Sequence, residues 1–262
     1  MKDKYNELKE WFNNYVSKFK MQNKEDQDNI ELKINHSKRV TNEMENIIEA
    51  FELSEEQRYM AKIIALFHDI GRFRQYEKHQ TFSDYKSEDH GDLGVSVMKD
   101  NDLLEDINED NKNQIYKAIY LHNKPQLPED DDNLFYAKLI RDADKLDIWN
   151  IYMNKYEMEN ENNYIINLSH KAEISDDVYN KLLNKELIKY SILKTVNDLK
   201  LMQMAWIYDI NFKSTFEIIS ERSYIDTIYN SMKENKKAEK IYSEIKNYMN
   251  GKLNNWVNDK FT

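Results

Sequence analysis

The side chains most able to do chemistry in this sequence are histidines and aspartates at the ends of apolar stretches. His68 and Asp69 stand side by side directly after the run AKIIALF. A buried imidazole and carboxylate need compensation, because an unpaired charge in a core is costly, so such a pair is usually hydrogen-bonded or holds a metal ion. The pair alone does not decide between these roles.

Helical spacing places further side chains of this kind on apolar faces. His36 lies one turn before Val40, and His122 extends the stripe of Ile115 and Ala118. In a helix, residues three and four apart share a face, so each of these polar residues falls at a position assigned to the core. The positions with this property are His36, His68, His90, His122 and Asp144.

Each of these residues has a structural alternative. A single histidine on an apolar face is more often a hydrogen-bonded core residue than a ligand. Asp144 could pair with Arg141 one turn earlier, and Asp69 could be a helix-end carboxylate in an Asp-Ile-Gly turn. Four of the six histidines and two carboxylates nevertheless converge on faces that must pack together, whereas His79 and His170 lie in polar segments and are interpreted as peripheral. The set as a whole favours a metal site.

The composition indicates which elements carry these residues. The chain has 262 residues but only four glycines and two prolines, which favours a mostly helical protein. Cysteine is absent, which excludes disulfides and thiolate ligands and favours a cytoplasmic location. Any metal must therefore be held by imidazole and carboxylate.

Charge and hydropathy exclude some classes of partner. The net charge of −10 argues against a nucleic-acid polymer, whose backbone attracts basic proteins. No apolar run reaches the roughly 18 residues of a membrane span, and no signal-peptide pattern is present. Neither a membrane partner nor export is indicated.

Hydrophobic periodicity predicts a series of helices. Ser54 and Gln57 form a capping box for one of them. Residues 71–89 are polar and predicted to be irregular, and the segment NKEDQDN at 23–29 is interpreted as a polar break. Four or five further helices are predicted beyond about residue 160. The helices predicted before that point cover 4–20, 30–51, 54–67, a short segment from about 90, 111–122 and 132–156.

Three motifs together resemble a known family. His36 in NHSKRV, the His68–Asp69 pair in LFHDIGR and Asp144 in RDADKLD resemble the H…HD…D signature of the HD-domain superfamily of metal-dependent phosphohydrolases. The segments EDHGDLGV and AIYLHNK are similar to two additional histidine motifs of its binuclear members. The resemblance covers about residues 30–150, in the order and spacing of the family.

The resemblance implies an all-α fold, an HD-domain helical bundle around a metal site with additional C-terminal helices. Without a repeat or clear linker, we expect a single helical domain over 1–262, with an HD-type core at 25–158 and a C-terminal elaboration at 159–262. The first metal is expected to be bound by His36, His68, Asp69 and Asp144. His90 and His122 are expected to hold a second metal, with Asp69 bridging the two. Asp142 is not chosen, because the family places its ligand directly before the lysine.

Nitrogen and oxygen ligands without thiolate suit Fe, Mn, Ni or Zn, with Mg possible. By resemblance, one or two such divalent metals activate a water, and Asp69 is a catalytic residue as their shared ligand. Asp92 and Asp147 are candidates for orienting that water. The alternative is favoured for each, namely that it supports a ligand or lies at the surface.

A phosphorylated substrate also needs cationic donors. Lys145 is expected to be both catalytic and substrate-binding, because it directly follows Asp144. Each candidate could instead be a solvated surface charge. The substrate-binding candidates are Arg39, Arg72, Lys124 and Lys145. Arg72 stands where some cyclic-dinucleotide-cleaving relatives have lysine, and their Gly-Tyr-Pro motif is absent, which argues against that substrate.

Three functions compete. The favoured one is a metal-dependent phosphohydrolase acting on a small phosphorylated metabolite or nucleotide through a metal-activated water. The second is a diiron oxygenase, because some relatives with the same six ligands activate dioxygen. The third is a non-catalytic signalling or partner-binding helical module. Retention of every ligand position argues against the third, and the cationic side chains favour the first over the second.

Overall fold

The computed structural model describes residues 1–157, 168–186, 188–232 and 235–256. Across these residues the chain is helical, and its only β-type contact is an isolated bridge between Ser169 and Thr195. The prediction of an all-α fold is confirmed. Within the same ranges, no helix combines the length and apolarity needed to cross a membrane.

The chain divides into two compact units, Met1–Asp147 and Ile148–Thr262. The expected organisation, one domain with a core at 25–158 and an elaboration at 159–262, stays a prediction. In the first unit, α2 packs against α3, α3 also contacts α1 and α6, and α5 lies against α4 and α6. The helices that begin in this unit are α1 (Lys2–Val16), α2 (Lys24–Ile48), α3 (Glu55–Phe67), α4 (Gly71–His79), α5 (His90–Asp100), α6 (Glu109–Leu121) and α7 (Phe135–Glu157).

Capping residues set the boundaries of α2 and α3. The capping box of Ser54 and Gln57 is present, as predicted. The predicted polar break at 23–29 is wrong from Lys24 onward, because the Asn23 side chain accepts a hydrogen bond from the Asp26 backbone and starts α2 six residues earlier than expected. Acidic residues in this first turn complement the helix dipole.

The expectation of an irregular chain over 71–89 is wrong for its first half. Residues 71–79 form α4, which ends where Gln80 adopts a left-handed conformation with φ of 53°. The helix buries Phe73 and Tyr76, which lie one turn apart. Because the residues around them are polar, their helical spacing did not stand out in the sequence. Only 80–89 is irregular apart from a short 3-10 turn at Asp84–Lys86.

Gly71 is the point at which α4 meets α5. A Cβ atom on this residue would lie 2.2 Å from the carbonyl oxygen of His90 and 2.6 Å from the backbone nitrogen of Gly94. No side chain fits there. The glycine therefore lets the two helix starts touch, and this contact brings Asp69 next to His90.

The second unit contains five further α-helices in its described residues, in agreement with the predicted four or five. α9 packs against α8, α11 and α12, and α10 packs against α11 and α12. The buried Trp149 lies against Trp206 and Tyr224, with ring centroids 5.8 and 6.0 Å away. These helices are α8 (Asp176–Leu183), α9 (Val196–Ala205), α10 (Lys213–Glu221), α11 (Tyr224–Asn230) and α12 (Lys236–Asn255).

Candidate metal centre

The structure brings the six predicted ligands together inside the first unit. His36 lies in α2, His90 begins α5 and Asp144 lies in α7. His68 and His122 occupy the equivalent place in two helices, the residue directly after the last turn of α3 and of α6. Asp69 follows His68 in the turn before α4 and is buried with the four histidines.

One side of this cluster, which we name the first half-site, consists of His36, His68, Asp144 and the Oδ2 atom of Asp69. The Nε2 atoms of His36 and His68 are 3.2 Å apart. The Nε2 atom of His36 is also 3.5 Å from Asp69 Oδ2 and 3.1 Å from Asp144 Oδ1. The Nε2 atom of His68 is 3.7 and 4.0 Å from the same two oxygens.

The opposite side, the second half-site, consists of His90, His122 and the Oδ1 atom of Asp69. The Nε2 atoms of the two histidines are 3.0 Å apart. They lie 3.3 and 3.8 Å from Asp69 Oδ1, respectively. Asp69 thus presents one oxygen to each pair of imidazoles, and both groups could hold a metal ion.

The second nitrogen of every ring is fixed by an acceptor. A backbone carbonyl or a carboxylate can only accept, so each Nδ1 atom donates and each Nε2 atom keeps its lone pair. The acceptors are Asp147 for His36, the Ala65 carbonyl for His68, Asp84 for His90 and the Ile119 carbonyl for His122, at 2.7, 2.8, 2.7 and 2.6 Å.

This donor set fits a metal pair. Ligand atoms that share one ion at about 2.0–2.2 Å lie about 3.0–3.6 Å apart, close to the separations within each half-site. Lone pairs facing one another at such distances repel unless a cation lies between them. Within the part of the chain that the structure describes, Asp144 Oδ1 is buried and accepts no hydrogen bond, although His36 Nε2 is 3.1 Å away. The assignment of the six residues as ligands stays a prediction that this geometry supports.

The electrostatics of the cluster also favour a bound cation. Burial lowers the pKa of His68 to about 3 and that of His90 to about 4, so both rings are neutral at neutral pH. Burial also opposes the charged form of Asp69, but Lys33 and the neighbouring imidazoles hold the pKa of Asp69 well below its usual range. For His36, burial and the charge of Lys33 lower the pKa, but the nearby carboxylates of Asp144 and Asp147 outweigh them and raise it. The space in front of its Nε2 atom thus attracts positive charge.

Two residues at the centre were not found from the sequence. Lys33 donates from Nζ to Asp69 Oδ2 at 2.8 Å, and it lies one turn before His36 on the same helix. The helical period that selected His36 could have found it. Asp84 accepts from His90 and is 2.8 Å from Arg72 Nη1, but it belongs to the irregular segment, where no periodicity could indicate it.

The predicted cations have different surroundings. Arg72 lies at the centre, with its Nε atom 3.4 Å from Asp69 Oδ1. Arg39 forms a two-point contact with Asp147 at 2.6 and 3.1 Å.

The two predicted lysines contact other parts of the first unit. Lys124 pairs with Asp89 at 2.6 Å and lies over the ring of Tyr120. Lys145 donates to the Arg141 carbonyl oxygen at 3.2 Å. Substrate binding by the four predicted cations, and catalysis by Lys145, stay predictions.

Comparison with known proteins identifies part of the first unit. Residues 34–149 match the family model of the HD domain. Neither the curated proteins nor the solved structures include a match to the chain. The matched segment contains all six predicted ligands as well as Asp84 and Asp147.

Proposed function

Since residues 34–149 form an HD domain, a family generally composed of metal-dependent hydrolases, we propose that this chain is a metal-dependent phosphohydrolase. Its proposed substrate is a small phosphorylated metabolite or nucleotide. The observation that carries the proposal is the surroundings of the Asp69 carboxylate. The Nε2 atoms of two imidazoles face each of its two oxygens, and the cationic side chains of Lys33 and Arg72 lie beside it.

The first half-site and the second half-site would each hold one divalent metal, with the Asp69 carboxylate shared between them. When bound, such metals supply a Lewis acid for the phosphoryl oxygens and a water whose pKa is lowered toward neutrality. Imidazole-rich donors favour Fe, Mn, Ni or Zn over Mg.

The chain's own residues provide orientation and charge. Asp147 and Asp84 hold the rings of His36 and His90 so that their Nε2 atoms point at the centre. Arg72 brings a permanent positive charge to the Oδ1 side of Asp69, and its buried Nε atom has no hydrogen-bond partner among the described residues. Guanidinium groups suit phosphate because they offer several donors in one plane. This charge supports an anionic substrate over an uncharged one.

The proposal is tested with purified protein in two measurements. Elemental analysis should find one or two transition-metal ions per chain, and chelation should remove both metal and activity. A panel of phosphomonoesters and nucleotides should then show phosphate release that Mn²⁺, Fe²⁺, Ni²⁺ or Zn²⁺ restores.

Anaerobic assays provide the control for oxygenase chemistry. Phosphate release should continue without dioxygen, because hydrolysis needs only water. Absence of phosphate release from every ester in every metal-loaded form would overturn the proposal, and substrate-dependent dioxygen consumption would favour the oxygenase instead.

A further inference from the structure

Lys33 is a cationic side chain that pairs, among the described residues, with a single carboxylate, and this carboxylate is also a predicted metal ligand. Its Nζ atom lies 2.8 Å from Asp69 Oδ2, and its side chain is 18% exposed. The ring of Phe82 lies 5.7 Å from the same nitrogen. No other ion pair of Lys33 is present in the described residues.

The ion pair between Lys33 and Asp69 competes with the binding of a metal ion in the first half-site. Asp69 Oδ2 is the oxygen that His36 and His68 face, so a divalent ion placed there competes with the ammonium for the same oxygen. Two positive charges at that separation repel strongly in a partly buried site. The ammonium is then repelled from the ion at Asp69 and is better balanced by another anion nearby.

We propose that Lys33 binds a phosphoryl oxygen of the substrate once the first half-site is filled. This inference rests on the proposed function. A lysine on α2, one turn from His36, has a flexible four-carbon stem and can move from Asp69 to an anion beside it. An oxyanion at the centre replaces the lost partner, so the same side chain balances charge before and after loading.

The position of Lys33 also gives it an effect on metal binding. Because it neutralises Asp69 in the metal-free protein, it weakens the attraction of the first half-site for a cation. Removing its charge should therefore strengthen metal binding while weakening phosphate binding. A lysine that only supports the fold would not change these two properties in opposite directions.

The test compares Lys33→Gln and Lys33→Arg with Lys38→Gln, an exposed lysine on the same helix. Titration calorimetry measures binding of Mn²⁺ to the metal-free proteins and of inorganic phosphate to the Mn²⁺-loaded proteins. Lys33→Gln should bind Mn²⁺ more tightly than the wild type. Its affinity for phosphate should be lower by about tenfold or more, which is the usual effect of losing a charged hydrogen bond. Lys33→Arg should retain most of the phosphate affinity, and Lys38→Gln should match the wild type.

Several results would overturn the role of Lys33. One is equal phosphate affinity in Lys33→Gln and the wild type at equal metal content, and another is no phosphate binding by the loaded wild type. Reduced metal content in Lys33→Gln, with unchanged phosphate affinity per loaded chain, would show that Lys33 only supports Asp69. The ester panel tests the proposed function separately. If the wild type hydrolyses esters and Lys33→Gln keeps the wild-type phosphate affinity, the role of Lys33 is refuted but the proposed function is not.

Discussion

The two half-sites use the same chemistry but are supported differently. In each, two imidazole Nε2 atoms face one oxygen of Asp69. The first half-site adds the carboxylate of Asp144, and the ring of His36 is held by Asp147, whose side chain on α7 is 0% exposed. The ring of His90 in the second half-site is held by Asp84, which lies in an irregular segment and is 32% exposed.

This difference indicates how strongly each half-site should hold an ion. More donors and a support on a buried helix keep ligands in place, whereas a partly exposed support on a loop is easier to displace. We therefore expect the first half-site to bind its metal more tightly than the second. The predictions below test this order.

The largest effect is expected for Asp69→Ala, because Asp69 is the only residue common to both half-sites. The variant should lose both ions, and activity should fall by about a thousandfold, which corresponds to several kcal/mol of transition-state stabilisation. Metal analysis and an ester assay measure this, with Asp28→Ala, which changes an exposed aspartate on α2, as control. Full metal content and activity in Asp69→Ala would show that Asp69 is not the shared ligand.

The next effect separates the two half-sites. Replacing both His90 and His122 with Ala should lower the bound metal from two ions per chain to one, because the first half-site retains its donors. Replacing both His36 and His68 should reduce metal content further, since the weaker half-site alone remains. Elemental analysis after identical dialysis decides this. One ion per chain in both the wild type and the His90/His122 variant would reject a binuclear centre.

A smaller effect is expected from the carboxylates that hold the rings. Asp147→Asn and Asp84→Asn should each weaken metal binding in their own half-site by about 10–100-fold. The loss should be greater for Asp147, which is fully buried and also binds Arg39. Titration with Co²⁺, followed by its absorption spectrum, reports each step. A larger loss of metal affinity in Asp84→Asn than in Asp147→Asn would contradict the expectation that the first half-site binds its metal more tightly.

The smallest effect is expected for Arg39→Gln. Arg39 contacts Asp147 from a position that is 37% exposed, so the ion pair should contribute about 1 kcal/mol or less to stability. Urea unfolding measures this, and metal content should be unchanged. A clear rise in KM for a phosphorylated substrate, without loss of metal, would support the predicted role of Arg39 in substrate binding.

The sequence was sufficient to predict which histidines and aspartates meet at the centre, because helical periodicity is a local property, whereas their role as ligands stays a prediction. His36 and Val40 share a face of α2 wherever that helix packs, and the apolar faces must meet in a core. The capping box at Ser54 was likewise readable, since its two partners lie three residues apart. These features depend on neighbours along the chain.

The parts that the sequence could not provide depend on contacts between distant segments. Asp84 reaches His90 only because the chain turns between α4 and α5, and nothing in its spacing indicates this. α4 was missed because its few apolar residues are separated by charged ones. Lys33 differs from both, since its three-residue spacing from His36 is visible in the sequence, but an ammonium group is not a metal ligand and so nothing marked it as part of the centre.

The anchoring of all four imidazoles has a consequence for the entropy of metal binding. Each ring loses its rotational freedom when the chain folds, because its Nδ1 hydrogen bond forms then. An arriving ion therefore meets donors that are already ordered and relieves the repulsion among their lone pairs. The directions of the four rings are therefore set by hydrogen bonds within the protein and not by the ion itself.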